Sequence, residues 1–476
     1  MTAGLPALEA RLTQALEILN HPPRDWVPVT TGPDGQPVSD VLIVGGGMNG
    51  LAAAFALRRL GIVRIHQVDA RPPGQEGPWL DYARMEYLRS PKHLTGPALG
   101  LPDLTFRAWW TAQFGEDGWA RLGYITRQDW AAYLKWYGRV TGANVVSETR
   151  LTGLVPVNGL IAADLDGPDG PRRVHARQIV LATGREGQAR PRIPAPFAPF
   201  LGDGVQHSSA PLDVAALAGR RVVVIGLSAS AFDNACAAAE AGAEVTLLGR
   251  ADVVPTVNKM KQSVYPGFAH GFPDLPDAER VAWLRGVATA RVAPPRHTVQ
   301  RAARAGVQMV LGAETQSVER DDAGLNLATT NGAFTADLVI LGTGFQFDFT
   351  GVPELAGVAG RTLLWRDLPG AADGPEDEFL ECPALGPGFE LRPRPGAEPD
   401  GLGQIRCFTH AAQPSLGNLA NDIPQASEGA ERLARAVASA LFVQDHAHHR
   451  ASLLDYAEPE LLGDEWTNPG PGGAAG

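Results

Sequence analysis

The apolar positions of the chain fall into two copies of one pattern. Val41-Leu42-Ile43-Val44 is a short apolar run before a glycine turn, followed by an Ala/Leu-rich stretch of helical character and a second extended run from Val63 to Asp69. The same succession begins again at Arg221 with Val222-Val223-Val224-Ile225. Short β-branched runs that end in glycine read as buried parallel strands and the segments after them as crossover helices, so each copy predicts a β-α-β unit. Between the units lie a Trp-rich helical region (Trp109, Trp110, Trp119, Trp130, Trp136) and an antiparallel-looking stretch from Val145 to Val180. Leu5 to Leu19 carries leucines at helical spacing with Glu9, Arg11 and Glu17 among them, which predicts an amphipathic helix and no signal peptide. An extended proline-rich arm follows to Pro37. Residues 255–300 interrupt the second unit with a Pro/aromatic segment of weak periodicity. Residues 370–403, dense in Gly, Pro and acids, predict a long surface loop. A helix is expected from about Ser427 to Phe442, and a disordered tail over 463–476.

These patterns predict an α/β protein with two Rossmann-like units. Composition narrows the partners. A formal charge of −11 over 476 residues argues against general nucleic-acid binding, which needs Lys and Arg for the phosphates. No window of about 18 uninterrupted apolar residues occurs, so no membrane span is expected. Cys236, Cys382 and Cys407 are far apart and form no C-x-x-C, which fits a reducing, cytoplasmic setting and excludes a thiol-redox pair of that spacing. Asp445, His446, His448 and His449 read as a solvated helix end, and no metal is expected.

Two glycine turns carry the chemistry. Gly45-Gly46-Gly47-Met48-Asn49-Gly50 matches G-x-G-x-x-G in its required setting, after a strand and at the start of a helix. Gly45 allows the tight turn, Gly47 lets a pyrophosphate approach the backbone, and Gly50 lets helix and strand pack closely. Asp69 ends the next strand, where a carboxylate can hold ribose hydroxyls. The second turn, Gly226-Leu227-Ser228-Ala229-Ser230-Ala231, is a degenerate version, and Arg250 occupies the place of the acid. An arginine there suits a 2′-phosphate and points to NADPH over NADH. Two further apolar strands, Ile179 to Thr183-Gly184 and Leu338 to Thr343-Gly344, end in small-Thr-Gly turns, as close passage of the chain by a cofactor requires.

From Asp40 to Phe442 these features resemble the flavin-containing, Baeyer–Villiger and N-hydroxylating monooxygenases. The most specific match is Gly226-x-Ser228-x-Ser230-Ala231-x-Asp233, similar to that family's G-x-G-x-S-G-x-D. Asp337 to Phe345 resembles its second A-T-G segment, and Thr183-Gly184 with Pro191-Arg192-Ile193-Pro194 resembles its first. The family's F-x-G-x-x-x-H fingerprint is only approximate: Phe200-Leu-Gly202 is followed by one residue too many before His207, and Pro211 stands where an aromatic is expected. The resemblance implies FAD in the first unit and NADPH in the second. The FAD domain would be discontinuous, 38–212 plus 335–445, after an N-terminal arm over 1–37, with an NADPH domain at 213–334. It implies transfer of one oxygen atom from O2 to a small nitrogen, sulfur or carbonyl substrate through a C4a-(hydro)peroxyflavin.

The same resemblance places Trp79 and the polar stretch Arg89, Lys92 and His93 near the flavin, and His207 between the domains. Arg127 could reach the FAD phosphates or cap its helix. Asn258 and Lys259, in the insertion, are the substrate-side candidates. Two other functions stay open: an FAD-dependent NAD(P)H reductase or oxidase without oxygenation, which the shifted His207 spacing favours, and a non-catalytic redox-sensing flavoprotein. A homodimer is expected from the frequency of two-fold oligomers alone.

Overall fold

In a computed structural model, which describes residues 4–33, 35–289, 292–371, 377–462 and 464–465, the two β-α-β patterns form two separate parallel sheets. The first runs Val145–Val146, Ile65–Val68, Ser39–Val44, Gly170–Leu181, with Ile405–Cys407 also parallel to the last of these. The strand Gly170–Leu181 serves two sheets' worth of pairing: its far end is parallel to Ser39–Val44, and its near end continues into an antiparallel meander with Leu160–Gly167 and Arg150–Val157. The second sheet is wholly parallel, in the order Gln308–Val310, Glu244–Leu248, Arg221–Ile225, Leu338–Leu341, Val205–His207.

The division of the chain follows these sheets. Val205–His207 and Leu338–Leu341 lie in the second sheet, whereas a boundary at 212 and 335 would assign both to the first domain. Short apolar strands carry no mark of which sheet will take them, so sequence pattern places them by neighbour alone. The chain passes between the units twice, just after the two Thr-Gly turns. Ala189–Pro191 and Phe345–Phe347 pair there as an antiparallel ribbon.

Local chemistry explains the elements. Thr105 and Thr126 cap the helices Phe106–Arg121 and Arg127–Val140, each hydroxyl accepting an amide N–H from the first turn (Ala108, Asp129). Trp109, Trp110, Trp130 and Trp136 pack as an aromatic cluster with Phe106 and Tyr133. The N-terminal helix, Gly4–Ile18, buries Leu8 and Leu12 and anchors Glu9 on Arg139 and Trp136. The helix Ala426–Gln444 covers the crossover helix Met48–Arg58, whose Gly50 to Leu57 are all buried.

One expectation fails in part. Of the described residues in 370–403, those from 377 to 391 form no surface loop, since Phe379, Leu380, Leu385, Phe389 and Leu391 are buried, whereas residues 392–403 are mostly exposed as expected. The backbone of the buried part bonds to neighbouring chain, Leu391 N–H to Ile405 O and Cys407 N–H to Phe389 O, which removes the need for solvent that keeps most loops outside. The insertion folds into short helices, Pro266–Gly271 and Asp277–Thr289, whose Phe268 and Trp283 pack with the intervening Phe272 beside Gly417. The tail expected to be disordered lies, except for residues 464 and 465, outside the described residues.

A Cβ built on Gly50 would stand 1.9 Å from Gly45 O, whereas one on Gly403 meets nothing within 4 Å. Gly50→Ala is therefore expected to cost about 1–3 kcal/mol in urea unfolding, and Gly403→Ala to stay within about 0.5 kcal/mol. Equal losses would mean that the helix–strand approach is not what requires glycine.

Candidate active site

A cleft of about 960 Å³ runs along the carboxyl end of the first sheet and opens toward the second. This is where ligands bind in open parallel sheets. Each glycine turn sits beneath a crossing strand. Gly45 has φ +121°, and a Cβ there would lie 2.3 Å from Ala182 O; Gly226 has φ +123°, and a Cβ there would lie 2.6 Å from Gly342 O. Gly47 is different: its nearest neighbour would be 3.8 Å away, at Gly77, so the backbone stands open to the cleft. The first bond of that helix is Leu51 N–H to Gly47 O, which leaves the amides of Met48, Asn49 and Gly50 without intrahelical acceptors. Asp69 accepts the Gly46 amide at 2.6 Å and the Arg71 amide at 2.7 Å, and its carboxylate borders the cleft. Open backbone, free amides and a strand-end carboxylate fit FAD.

The second turn repeats this with less room. Phe232 N–H to Ser228 O is the first bond of the helix Ala229–Glu240. Ser228, Ala229 and Ser230 line the cleft, with the Ser230 hydroxyl donating to Ser208 Oγ at 3.1 Å. Arg250 lies outside this cleft, exposed, with no hydrogen bond or ion pair among the described residues. Its charge adds to burial in holding the Arg192 guanidinium below its ordinary value, so the two cations are near neighbours. An unpaired arginine is suited to a phosphate dianion; Arg192 itself pairs with Glu378.

Of the other residues singled out from sequence, Trp79, Thr183, Gly184 and Arg89 line the cleft with Gly45, Gly47, Met48 and Asn49. Several do not line it. Lys92 donates to the carbonyls of Trp119 and Leu122 and stacks over the Trp119 ring, and His93 packs edge-on against that same ring. Both face the helical region. His207 is buried in the second sheet, with Nε2 2.8 Å from Gly344 O and Nδ1 2.8 Å from Ser209 Oγ, so both ring nitrogens are engaged. Burial lowers its pKa. It fastens the edge strand to the Gly344 turn and has no free nitrogen for proton transfer. Arg127 donates to Trp79 O and is not among the residues that line the cleft. Thr343 donates to Arg192 O, and neither it nor Gly344 reaches the cleft. Asn258 caps its own turn by accepting Met260 N–H, and Lys259 is exposed outside the cleft.

Sequence reasoning missed the residues that give the cleft its charge. Arg185 follows the first Thr-Gly turn directly and lines the cleft. It has no ion pair or hydrogen bond among the described residues and lies over the Phe345 ring, 5.8 Å from its centroid. Protein surrounds it while its side chain stays open to the cleft, and this crowding lowers its pKa. His410 lines the cleft close enough to Arg185 to feel its charge; burial and then Arg185 hold the imidazole well below its ordinary range, so it is neutral at pH 7. Tyr82 and Asn421 complete this end, and burial raises the Tyr82 phenol. A basic residue immediately after a cofactor-crossing turn was the one available signal.

The sequence profile of the pyridine nucleotide-disulphide oxidoreductases matches residues 42–309. The chain is 37% identical over 478 residues to the FAD-dependent urate hydroxylase of Xanthomonas campestris pv. campestris, covering 98% of this chain and 99% of that one. Among solved structures it is similar to the ornithine hydroxylase of Pseudomonas aeruginosa (TM-score 0.66, 16% identity, 85% of this chain and 100% of that one). It is also similar to the L-lysine 6-monooxygenase of Pseudomonas syringae (TM-score 0.63, 21% identity, 85% and 99%). These two share the fold.

Arg250→Ala is expected to raise the KM for NADPH at least about tenfold, about 1.4 kcal/mol, while leaving that for NADH nearly unchanged. Equal losses with both nucleotides in steady-state kinetics would remove the 2′-phosphate assignment.

Proposed function

The chain belongs to the pyridine nucleotide-disulphide oxidoreductase family and is an FAD- and NADPH-dependent monooxygenase, and from that premise we propose that its substrate is urate or a similar flat, anionic oxopurine. The observation that carries the reading is Arg185, a cation without a partner among the described residues, at the end of the cleft formed by Phe345, His410 and Asn421. An unpaired guanidinium in a crowded, partly dehydrated site is costly unless an anion completes it. Its planar donor fork matches a ring that presents two adjacent acceptors. The Phe345 ring beneath it gives a flat surface at the same place. The full-length relative's own substrate, urate, has this chemistry.

When bound, the flavin supplies the oxygen chemistry and NADPH supplies the two reducing electrons; one oxygen atom of O2 goes to the substrate and the other leaves as water. This chain's part is to bind, orient and exclude. Asp69 and the amides of Met48 to Gly50 would hold FAD along the first sheet. Ser228 to Ser230 and Arg250 would hold NADPH against the second. Arg185 would orient the substrate anion, and neutral His410, which does not add a second charge, would offer a hydrogen-bonding ring nitrogen beside it. Thiol–disulphide exchange is not supported despite the family's description. All three cysteines are buried and outside the cleft, and burial pushes the Cys236 thiol up to about 11 and Cys407 to about 12, so neither is a thiolate at neutral pH. The shared fold of amine hydroxylases leaves an amine substrate as the rival, but an amine cation would meet Arg185 as a like charge.

With FAD-loaded protein, NADPH and O2, urate is expected to be consumed in step with NADPH oxidation. Arg185→Gln should raise the urate KM about ten- to a hundredfold, the loss of a charge-assisted hydrogen bond of about 1.5–3 kcal/mol, while anaerobic flavin reduction by NADPH persists. NADPH oxidation that yields only hydrogen peroxide with urate, but a hydroxylated product with a diamine, would replace the oxopurine by an amine.

A further inference from the structure

We propose that the segment Arg84 to Arg89 is a clasp between the two units, and that its Arg89–Asp233 pair is a positioning element that sets the NADPH helix against the flavin side of the cleft. The inference rests on the second unit being the NADPH site.

Four side chains of this short segment reach across. Arg84 donates to the carbonyls of Ser208, at 2.8 Å, and Ala210, at 3.1 Å, just beyond the edge strand of the second sheet. Glu86 faces Arg301 at 3.9 Å, and Tyr87 packs edge-on against His297; both partners lie on the helix Arg296–Arg304. Arg89 faces Asp233 at 3.7 Å, on the helix that begins at the second glycine turn. The segment is itself fixed to the first unit by Leu88 N–H to Ile125 O and Arg127 N–H to Glu86 O. A strap held on one side by backbone and on the other by side chains transmits position between the units.

The Arg89–Asp233 contact is the part that stability does not explain. Asp233 is almost fully buried, lines the cleft, and accepts no hydrogen bond from a backbone amide or hydroxyl among the described residues. Its compensation is Arg89, itself half exposed, and the more distant Arg301, which Glu240 already holds on both oxygens. Cys236 and Glu240 are the other titratable groups on its own helix, and His297 faces the clasp from the neighbouring one. Burial pushes the Asp233 carboxyl up to about 6 in spite of both arginines, from an ordinary 3.8. A buried carboxylate so poorly compensated lowers stability when ionised, and pairs of this kind are kept for geometry rather than for stability.

The two roles separate experimentally. A folded-state pKa above the unfolded one means that the folded protein loses stability as pH rises from about 4 to about 6 and keeps that loss above. Asp233→Asn removes the loss. Its thermal midpoint should therefore match the parent protein near pH 4 and equal or exceed it at pH 8, whereas Arg89→Ala, which strands the carboxylate, should melt lower at pH 8. In rapid mixing of the FAD-loaded chain with NADPH under nitrogen, each single variant should slow flavin reduction about tenfold. The double variant should be no slower than either, and Arg89→Lys should recover most of the rate. NADP+ affinity by titration should change less than threefold, since neither residue holds its phosphates. Multiplying losses in the double variant, unslowed reduction, or an Asp233→Asn midpoint below the parent's at pH 8 would each overturn the proposal. If NADPH fails to reduce the parent protein itself, the cofactor reading falls and the clasp loses its role with it; reduction that is normal in parent and variants alike sinks the clasp only.

Discussion

The structure depends on two close crossings of backbone. At Ala182 and at Gly342 a strand leaves its sheet directly over a glycine turn, near enough that no side chain fits between. Each crossing brings three things to one spot: the carboxyl end of a parallel sheet, the free amides of a helix and the connection to the other unit. The rest follows from chain geometry. Since both crossings lead into the two-stranded ribbon of Ala189–Pro191 and Phe345–Phe347, the two cofactor turns are set facing one cleft by backbone alone.

Electrostatics then differentiates the two ends of that cleft. At the first turn Asp69 is tied to backbone amides and presents carboxylate to neutral hydroxyls. At the second, Arg250 presents a charge with no partner among the described residues, beside Arg192, which pairs with Glu378. Between them, the arginines of the cleft are mostly spent on structure: Arg71 on Asp81 and Glu186, Arg84 on carbonyls, Arg89 on Asp233. Arg185 and Arg150 have neither ion pair nor hydrogen bond among the described residues, and Arg185 is the one that lies over the Phe345 ring beside His410, which is why its position bears on the substrate.

The cofactor turns were legible because backbone sterics leave few residues able to occupy them; Gly45, Gly50 and Gly226 are glycine for reasons visible in any such unit. Lys92 and His93 lie outside the cleft because a polar side chain in the right stretch of sequence can point either way. Two carbonyls of the Trp119 region take the Lys92 ammonium, and the Gly344 turn takes His207. The buried segment around Phe389 was misread for a related reason. Its glycines and prolines signal irregular backbone truthfully, but whether irregular backbone is exposed depends on whether distant strands, here Ile405–Cys407, satisfy its hydrogen bonds.

By itself the sequence determined the local matters: two β-α-β units, their glycine turns, a carboxylate at one strand end and an arginine at the other. These follow from dihedral preferences and short-range periodicity, which act within a few residues. Only the tertiary structure decided which sheet holds Val205–His207 and Leu338–Leu341, that Arg185 and His410 share one end of the cleft, and that Arg89 meets Asp233. Those contacts join residues far apart in the chain. Their existence is set by how the units pack and by which charges find partners, and no local pattern encodes that.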